Sequence, residues 1–310
     1  MIKYAFIGGT MCGYKLIDTL INNNHLPLFA VILKEDDHEA ERYSDKISSL
    51  LNDKGIQNST KRKLSESDYQ IIRDSALDFI IVSGWRTLID TKVNDFTKHG
   101  VIAAHYSLLP KYRGFAPLQW AVINGEKETG VTLFMMGNGE ADSGKIISQK
   151  KLSIGYDETS WELNKKIIMI ANGLYLEYID KLQTNSVNYL EQDESQATYT
   201  CKRIPEDGRI YWNKSSDVIY NLIRAVAYPY PGAFCFYNDS TFHIRKARKG
   251  ESDKKIYSGI IPGRVIKIGD NGIEVLCGKG TIQITEWENK NANLITNPNS
   301  DVNSIKATLY

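Results

Sequence analysis

Four runs of apolar residues dominate the first third of the chain: IKYAFI (2–7), LFAVIL (28–33), LDFIIVSG (77–84) and GVIAAH (100–105). Their residues do not alternate polar with apolar. A strand that shows one face to water alternates, whereas one covered on both faces by helices does not, so these runs predict parallel strands. Helical spacing fills the gaps, in YKLIDTLINN (14–23), DKISSLLND (45–53) and SESDYQIIRDSA (65–76), the last with a Ser/Asp-rich start. Farther on, APLQWAVING (116–125) reads as a helix with Pro117 in its first turn, where proline is tolerated. GVTLFMMG (130–137) and KIISQKKLSI (145–154) read as strands, and 157–182 as the longest helix, opened by a Thr159–Glu162 capping box. This order predicts an α/β fold, a Rossmann-like and mostly parallel sheet, over residues 1–200.

The pattern changes after ATYTCKRIPEDGRIYW (197–212). One helix, 216–226, precedes short strands near 233–238, 241–247, 264–269, 273–278 and 281–286, separated by Gly and Asn turns. That spacing predicts a smaller β-rich, barrel-like domain over 201–290. The remaining 291–310 is polar and aperiodic, and is expected to be a poorly ordered tail.

Bulk properties narrow the function classes. A net charge of +1 gives no general attraction to nucleic acid or an anionic membrane. The four cysteines are scattered, without a CxxC pair or a His at ligand spacing, which predicts reduced thiols and no metal site. No apolar run approaches the ~20 residues of a membrane span. MIKYAFIGG reads as a first strand rather than a signal peptide, so a cytoplasmic protein is expected.

Candidate site residues gather where the strand runs end. In open α/β sheets ligands bind just outside the carboxyl ends of the strands, and His105 ends one. The loop that follows, YSLLPKYRG, carries Ser107 and the cations Lys111 and Arg113, residues suited to anions or to a solvated loop. Asp142 lies in the glycine-rich GNGEADSGK, either to bond its own turn or to orient His105. SGWRTL (83–88) follows another strand, and GGTMCG (8–13) gives only a weak phosphate-loop signal.

In order, GVIAAHYSLLPKYRGFAPLQWAVINGEKETGVTLFMM (100–136) and DSG (142–144) resemble the folate-dependent formyltransferase family. ATYTCKRIPEDGRIYW and IRAVAYPYPGAF are similar to the junction and second domain of its methionyl-tRNA and sugar-modifying members. The resemblance implies that an amine attacks the formyl carbon carried on N10 of formyltetrahydrofolate, through a tetrahedral intermediate. It makes His105 the proton shuttle and Asp142 the group that tunes its charge. It assigns Trp85, Arg86, Leu88 and Glu140 to the folate, and Gly9, Thr10, Ser107, Lys111, Arg113 and Phe115 to the second substrate. The turn before Asp142 is one residue longer than the family's, and the Ser-Gly that follows favours Asp142 over Glu140 as the partner of His105.

One position departs from the family. An Asn two residues before the His normally donates to the developing oxyanion, and here that residue is Ala103. Such a donor is worth about 3–4 kcal/mol, or roughly 100- to 1,000-fold in rate. Three explanations stand: a protonated His105 holds the oxyanion, a loop N–H or Ser107 has taken over, or the protein is slow, hydrolytic or inactive.

The amine is read from charge and motif. The near-neutral chain and its acidic KEDDHEAERYSD (34–45) disfavour tRNA, and LPKYRGFAPLQWAVINGE is similar to bacterial sugar N-formyltransferases. Phe115 stands where the arabinose-modifying enzyme has Arg. The expectation is formylation of a nucleotide-linked dideoxy-aminohexose for surface polysaccharide synthesis. Methionyl-tRNA formylation and a catalytically impaired folate or sugar-nucleotide binding protein are the alternatives. Whether the second domain packs on the first or joins two copies into a homodimer is left open.

Overall fold

The computed structural model describes residues 2–36, 39, 41–137, 140–289, 294, 295 and 297–310. Parts of the acidic run, of the glycine-rich turn and of the tail fall outside the described residues. The chain forms two compact units. The first comprises Met1–Gly114, Gly130–Leu152 and Lys166–Tyr199, the second Phe115–Thr129, Ser153–Lys165 and Thr200–Tyr310. Two stretches that the sequence reading gave to the first domain, 115–129 and 153–165, thus cluster with the second.

In the first unit, β1 (Tyr4–Gly8), α1 (Thr10–Asn22), β2 (Phe29–Leu33), α2 (Ser44–Asn52), α3 (Glu66–Asp74), β4 (Phe79–Ser83) and β5 (Val101–His105) follow the predicted order, with β3 (Gln57–Lys61) added between α2 and α3. Later in the chain come β6 (Arg113–Gly114), α4 (Pro117–Ile123), which falls in the second unit, β7 (Glu128–Met135), β8 (Ile146–Ser153), α5 (Ser160–Gln183) and β9 (Tyr199–Thr200). The sheet order is β3-β2-β1-β4-β5-β7-β8. Pairing is parallel from β3 to β5 and antiparallel between β5 and β7. All residues of β1 and β2 are buried, which is why their apolar runs are continuous. β3, QNSTK, was not read from the sequence: it is an edge strand, largely exposed, and carries no apolar run. On α5, Asn172 donates to the Lys15 carbonyl and the Thr19 hydroxyl of α1, and the Tyr175 hydroxyl donates to the Val82 carbonyl of β4.

The second unit holds α6 (Ser216–Ala225) and β10 (Ala233–Tyr237), β11 (Ser240–Lys249), β12 (Val265–Gly269), β13 (Gly272–Leu276), β14 (Thr281–Asn289) and β15 (Leu294–Ile295). Its antiparallel sheet runs β10-β11-β14-β13-β12, with β15 on β14. Arg224 of α6 is buried, and its guanidinium donates to the carbonyls of Gly155 and Glu158.

Over the described residues 297–310, the expected poorly ordered tail is corrected by the structure. The Leu309 amide donates to the Gly263 carbonyl and the Val265 amide to the Ala307 carbonyl, beside β12. Phe236 of β10 exchanges backbone bonds with Tyr310 at 2.8 and 2.9 Å. The last residues therefore bridge the two ends of the strand path and close it, with Val302 and Leu309 buried. Edge pairing uses backbone N–H and C=O groups, which a polar, aperiodic side-chain pattern does not report. Among the described residues, no helix is long and apolar enough to cross a membrane.

Candidate active site

β5 lies between β4 and β7 and delivers His105 at its carboxyl end, in register with Thr132. The ring is 8% exposed. Its Nε2 lies 2.7 Å from the Tyr112 carbonyl and its Nδ1 3.5 Å from Asp142 Oδ2. A carbonyl only accepts, so Nε2 carries a hydrogen, and Nδ1 is the nitrogen that faces the carboxylate. A proton taken up there meets the carboxylate at once. Tyr112 and Asp142 both sit in the left-handed region, at φ 61° and 59°, an uncommon setting for residues with a Cβ.

A bonded frame fixes this geometry. The Gly114 amide donates to Asp142 Oδ2 at 2.8 Å. Gln192 donates through one amide group to the carbonyls of Asp142 and Gly144, both at 2.7 Å. Arg113 donates to the Gln192 oxygen from Nε and Nη2, and forks onto both oxygens of Glu194 at 2.8 and 2.7 Å. Those bonds hold Glu194 below the usual carboxylate range and push Arg113 above its ordinary value. Arg113 is 0% exposed, which corrects its assignment to a substrate anion. Its guanidinium binds inside the protein because the 192–199 segment, distant in sequence, supplies the acceptors. Glu140 accepts from the Tyr199 hydroxyl at 2.7 Å, whereas Asp142 faces the imidazole.

The loop after His105 is equally committed. The Ser107 hydroxyl donates to the Lys111 carbonyl at 2.6 Å, so its proton does not replace the Asn amide missing at Ala103. Thr132, fully buried, donates to the Ser107 carbonyl and accepts from the Leu109 amide and from Gln149. Ala103 is half-buried, in register with Val82 on one side and Phe134 on the other. Lys111 is exposed.

At the neighbouring strand ends, the Gly9 amide donates to the Ser83 carbonyl at 3.0 Å, which takes it out of any phosphate cradle. Gly84 has φ 67°, and a Cβ there would meet the Gly9 carbonyl oxygen at 2.1 Å, so the turn after β4 requires glycine. Thr10 opens α1 at φ 57° and its hydroxyl bonds Cys12. Burial pushes the Cys12 thiol up, against opposing bonds from Tyr106 and Thr10. Trp85 packs against the core under β1 and β4, and its Nε1 is buried without an acceptor among the described residues. Arg86 forks onto Glu39, whose bonds push the guanidinium up, and Leu88 is 98% exposed.

Phe115, 59% exposed, belongs to the second unit. There it lines a cavity of about 300 Å3 with Gln119, Lys202, Arg203, Tyr230 and Pro231. The sequence reading did not single out Lys202, Arg203 or Tyr230, which line this cavity, although it quoted the segments that hold them. It also missed Gln192, Glu194 and Tyr199, for which no spacing or composition gave a signal. Among the described residues, no group of His, Cys, Asp and Glu is arranged to hold a metal ion.

Comparison with known proteins bears on this arrangement. Residues 2–179 match the family model described as formyl transferase, and residues 203–298 the one described as formyl transferase, C-terminal domain. Among solved structures, the chain is similar to WlaRD, a sugar 3N-formyl transferase in the presence of dTDP and 5-N-formyl-THF. The identity is 22% and the TM-score 0.69, over 92% of this chain and 97% of that one. It is also similar to the N-formyltransferase of Helicobacter canadensis in complex with folinic acid and dTDP-3-aminofucose, at 19% identity and TM-score 0.70, over 92% and 99% of the two chains. Methionyl-tRNA formyltransferase from Clostridium thermocellum matches at 19% identity and TM-score 0.54, over 90% and 100%. At these identities the likeness is one of fold.

Proposed function

Because the chain belongs to the formyl transferase family, we propose that it transfers a formyl group from N10-formyltetrahydrofolate to the primary amine of a nucleotide-linked amino sugar. The observation that carries this reading is the His105 imidazole, held between the Asp142 carboxylate and the Tyr112 carbonyl at the end of a sheet strand. The folate supplies an activated one-carbon unit. Trp85 offers a donor for it, since its buried Nε1 has no acceptor among the described residues. As the amine nitrogen bonds the formyl carbon, His105 Nδ1 would accept the amine proton beside the Asp142 carboxylate, and as the carbon–N10 bond breaks that proton would pass to N10, releasing tetrahydrofolate. With Ala103 in place of an amide donor, charge on the formyl oxygen would be met by the field of the His105 imidazolium, since its two N–H groups face Tyr112 and Asp142.

The amino-sugar reading draws on three supports. Two similar structures are sugar N-formyltransferases or hold a dTDP-amino sugar. The net charge of +1 does not suit a polyanion. The cavity in the second unit offers aromatic rings (Phe115, Tyr230) for a base and cations (Lys202, Arg203) for a diphosphate. Surface polysaccharide synthesis from a cytoplasmic enzyme is the corresponding role. The experiment is turnover of dTDP-, UDP- and GDP-linked amino sugars with N10-formyltetrahydrofolate, against charged initiator tRNA as the competing substrate. Formylation of tRNA alone overturns the reading. Tight binding in calorimetry with no turnover favours the impaired binding protein instead.

A further inference from the structure

The two polar partners of the His105 ring come from different segments. Tyr112 lies in the loop after β5, and Asp142 in the turn between β7 and β8. One side chain from a third segment joins them. Gln192 uses its amide nitrogen on the carbonyls of Asp142 and Gly144, and its amide oxygen on the Arg113 guanidinium, next in sequence to Tyr112. Both donors and both acceptor directions of the primary amide are filled, so the group has one orientation.

The far side of Arg113 is anchored by Glu194 and by the Tyr199 hydroxyl at 3.2 Å. The backbone carries the same registration: the Tyr112 amide donates to the Thr198 hydroxyl, the Arg113 amide to the Thr198 carbonyl and the Thr198 amide to the Pro110 carbonyl. Asp142, at φ 59°, is held in a left-handed conformation that two hydrogen bonds from one side chain stabilise from outside the turn.

We infer that Gln192 is a positioning residue for His105: its amide sets the Asp142 carboxylate on one ring nitrogen and, through Arg113, the Tyr112 carbonyl on the other. This rests on the formyl-transfer reading of the site. It adds that the segment before the second domain takes part in catalysis without touching a reactant.

The test uses Gln192→Ala and Gln192→Glu in the full chain. Gln192→Glu still accepts from Arg113 but turns an acceptor toward the two carbonyls. Each variant should lower kcat by up to about 100-fold, the cost of a catalytic group displaced by roughly 1 Å, with KM for both substrates little changed. In an Asp142→Asn background the same substitution should add little, because groups acting as a unit are non-additive. Independent losses that multiply, or a KM effect at unchanged kcat, overturn the inference. Nitrogen-15 NMR of the histidine rings gives a readout that needs no turnover. Gln192→Ala should move the His105 ring signals and leave those of His25 and His243 in place. Unmoved His105 signals overturn the inference. Moved signals in a protein that formylates no sugar nucleotide uphold it while the substrate assignment falls.

Discussion

Asp142 Oδ2 lies 3.5 Å from His105 Nδ1 while accepting the Gly114 amide at 2.8 Å. The carboxylate is thus fixed by the loop that follows the histidine it serves. A neutral ring leaves its bare nitrogen facing that carboxylate, and a protonated ring completes an ion pair.

His105→Ala should abolish formylation, and Asp142→Asn should lower kcat by about 100- to 10,000-fold, the span of general acid–base effects. Steady-state kinetics with saturating folate checks both. An Asp142→Asn variant within threefold of wild type would remove the carboxylate from the mechanism.

Ala103→Asn restores an amide beside β4 and β7 at a half-buried position. Since the Ser107 proton is committed to Lys111, the site lacks that substitute donor. The expected outcome is a rise in kcat, up to the roughly 100- to 1,000-fold that one oxyanion donor contributes. Single-turnover rates measure it.

Arg203 stacks over the Trp120 ring at 5.2 Å and, with Lys202, lines the cavity of the second unit. Arg203→Ala and Lys202→Ala should each raise KM for the sugar nucleotide by about tenfold or more, because a bond to a charged group is worth roughly 1.5–3 kcal/mol. The KM for folate should stay put. A change confined to folate would locate the cations at the other substrate.

Glu194 is held below the ordinary range by Arg113. A depressed carboxylate contributes stability that is complete above its unfolded-state value, about 4.3, and is lost as pH falls through the lower native value. Urea midpoints of wild type and Glu194→Gln should therefore differ at neutral pH and converge in acid. The gap should be modest, since the Glu194 side chain is 64% exposed.

Leu309 is 1% exposed in the segment that closes the strand path of the second unit. Leu309→Ala should cost about 2–5 kcal/mol, as for other buried leucines, and deletion of the last four residues should cost more. Thermal unfolding followed by near-ultraviolet dichroism reports the loss.

The chain's own spacing determined the parallel strands, because a strand covered on both faces must be apolar throughout. It also determined that a strand would hand His105 to a loop bearing Ser107, Lys111 and Arg113. A polar edge such as QNSTK stayed hidden, since its pairing uses backbone groups common to every sequence. The fate of Arg113 was likewise decided in three dimensions. Its acceptors lie 79 to 86 residues away, and a free cation and a buried one look alike along the chain. Local residue order fixes which groups reach the sheet's rim. Only the folded chain decides which of them remain available to a ligand, because each hydrogen-bonding atom is claimed by whichever partner the tertiary packing brings within reach.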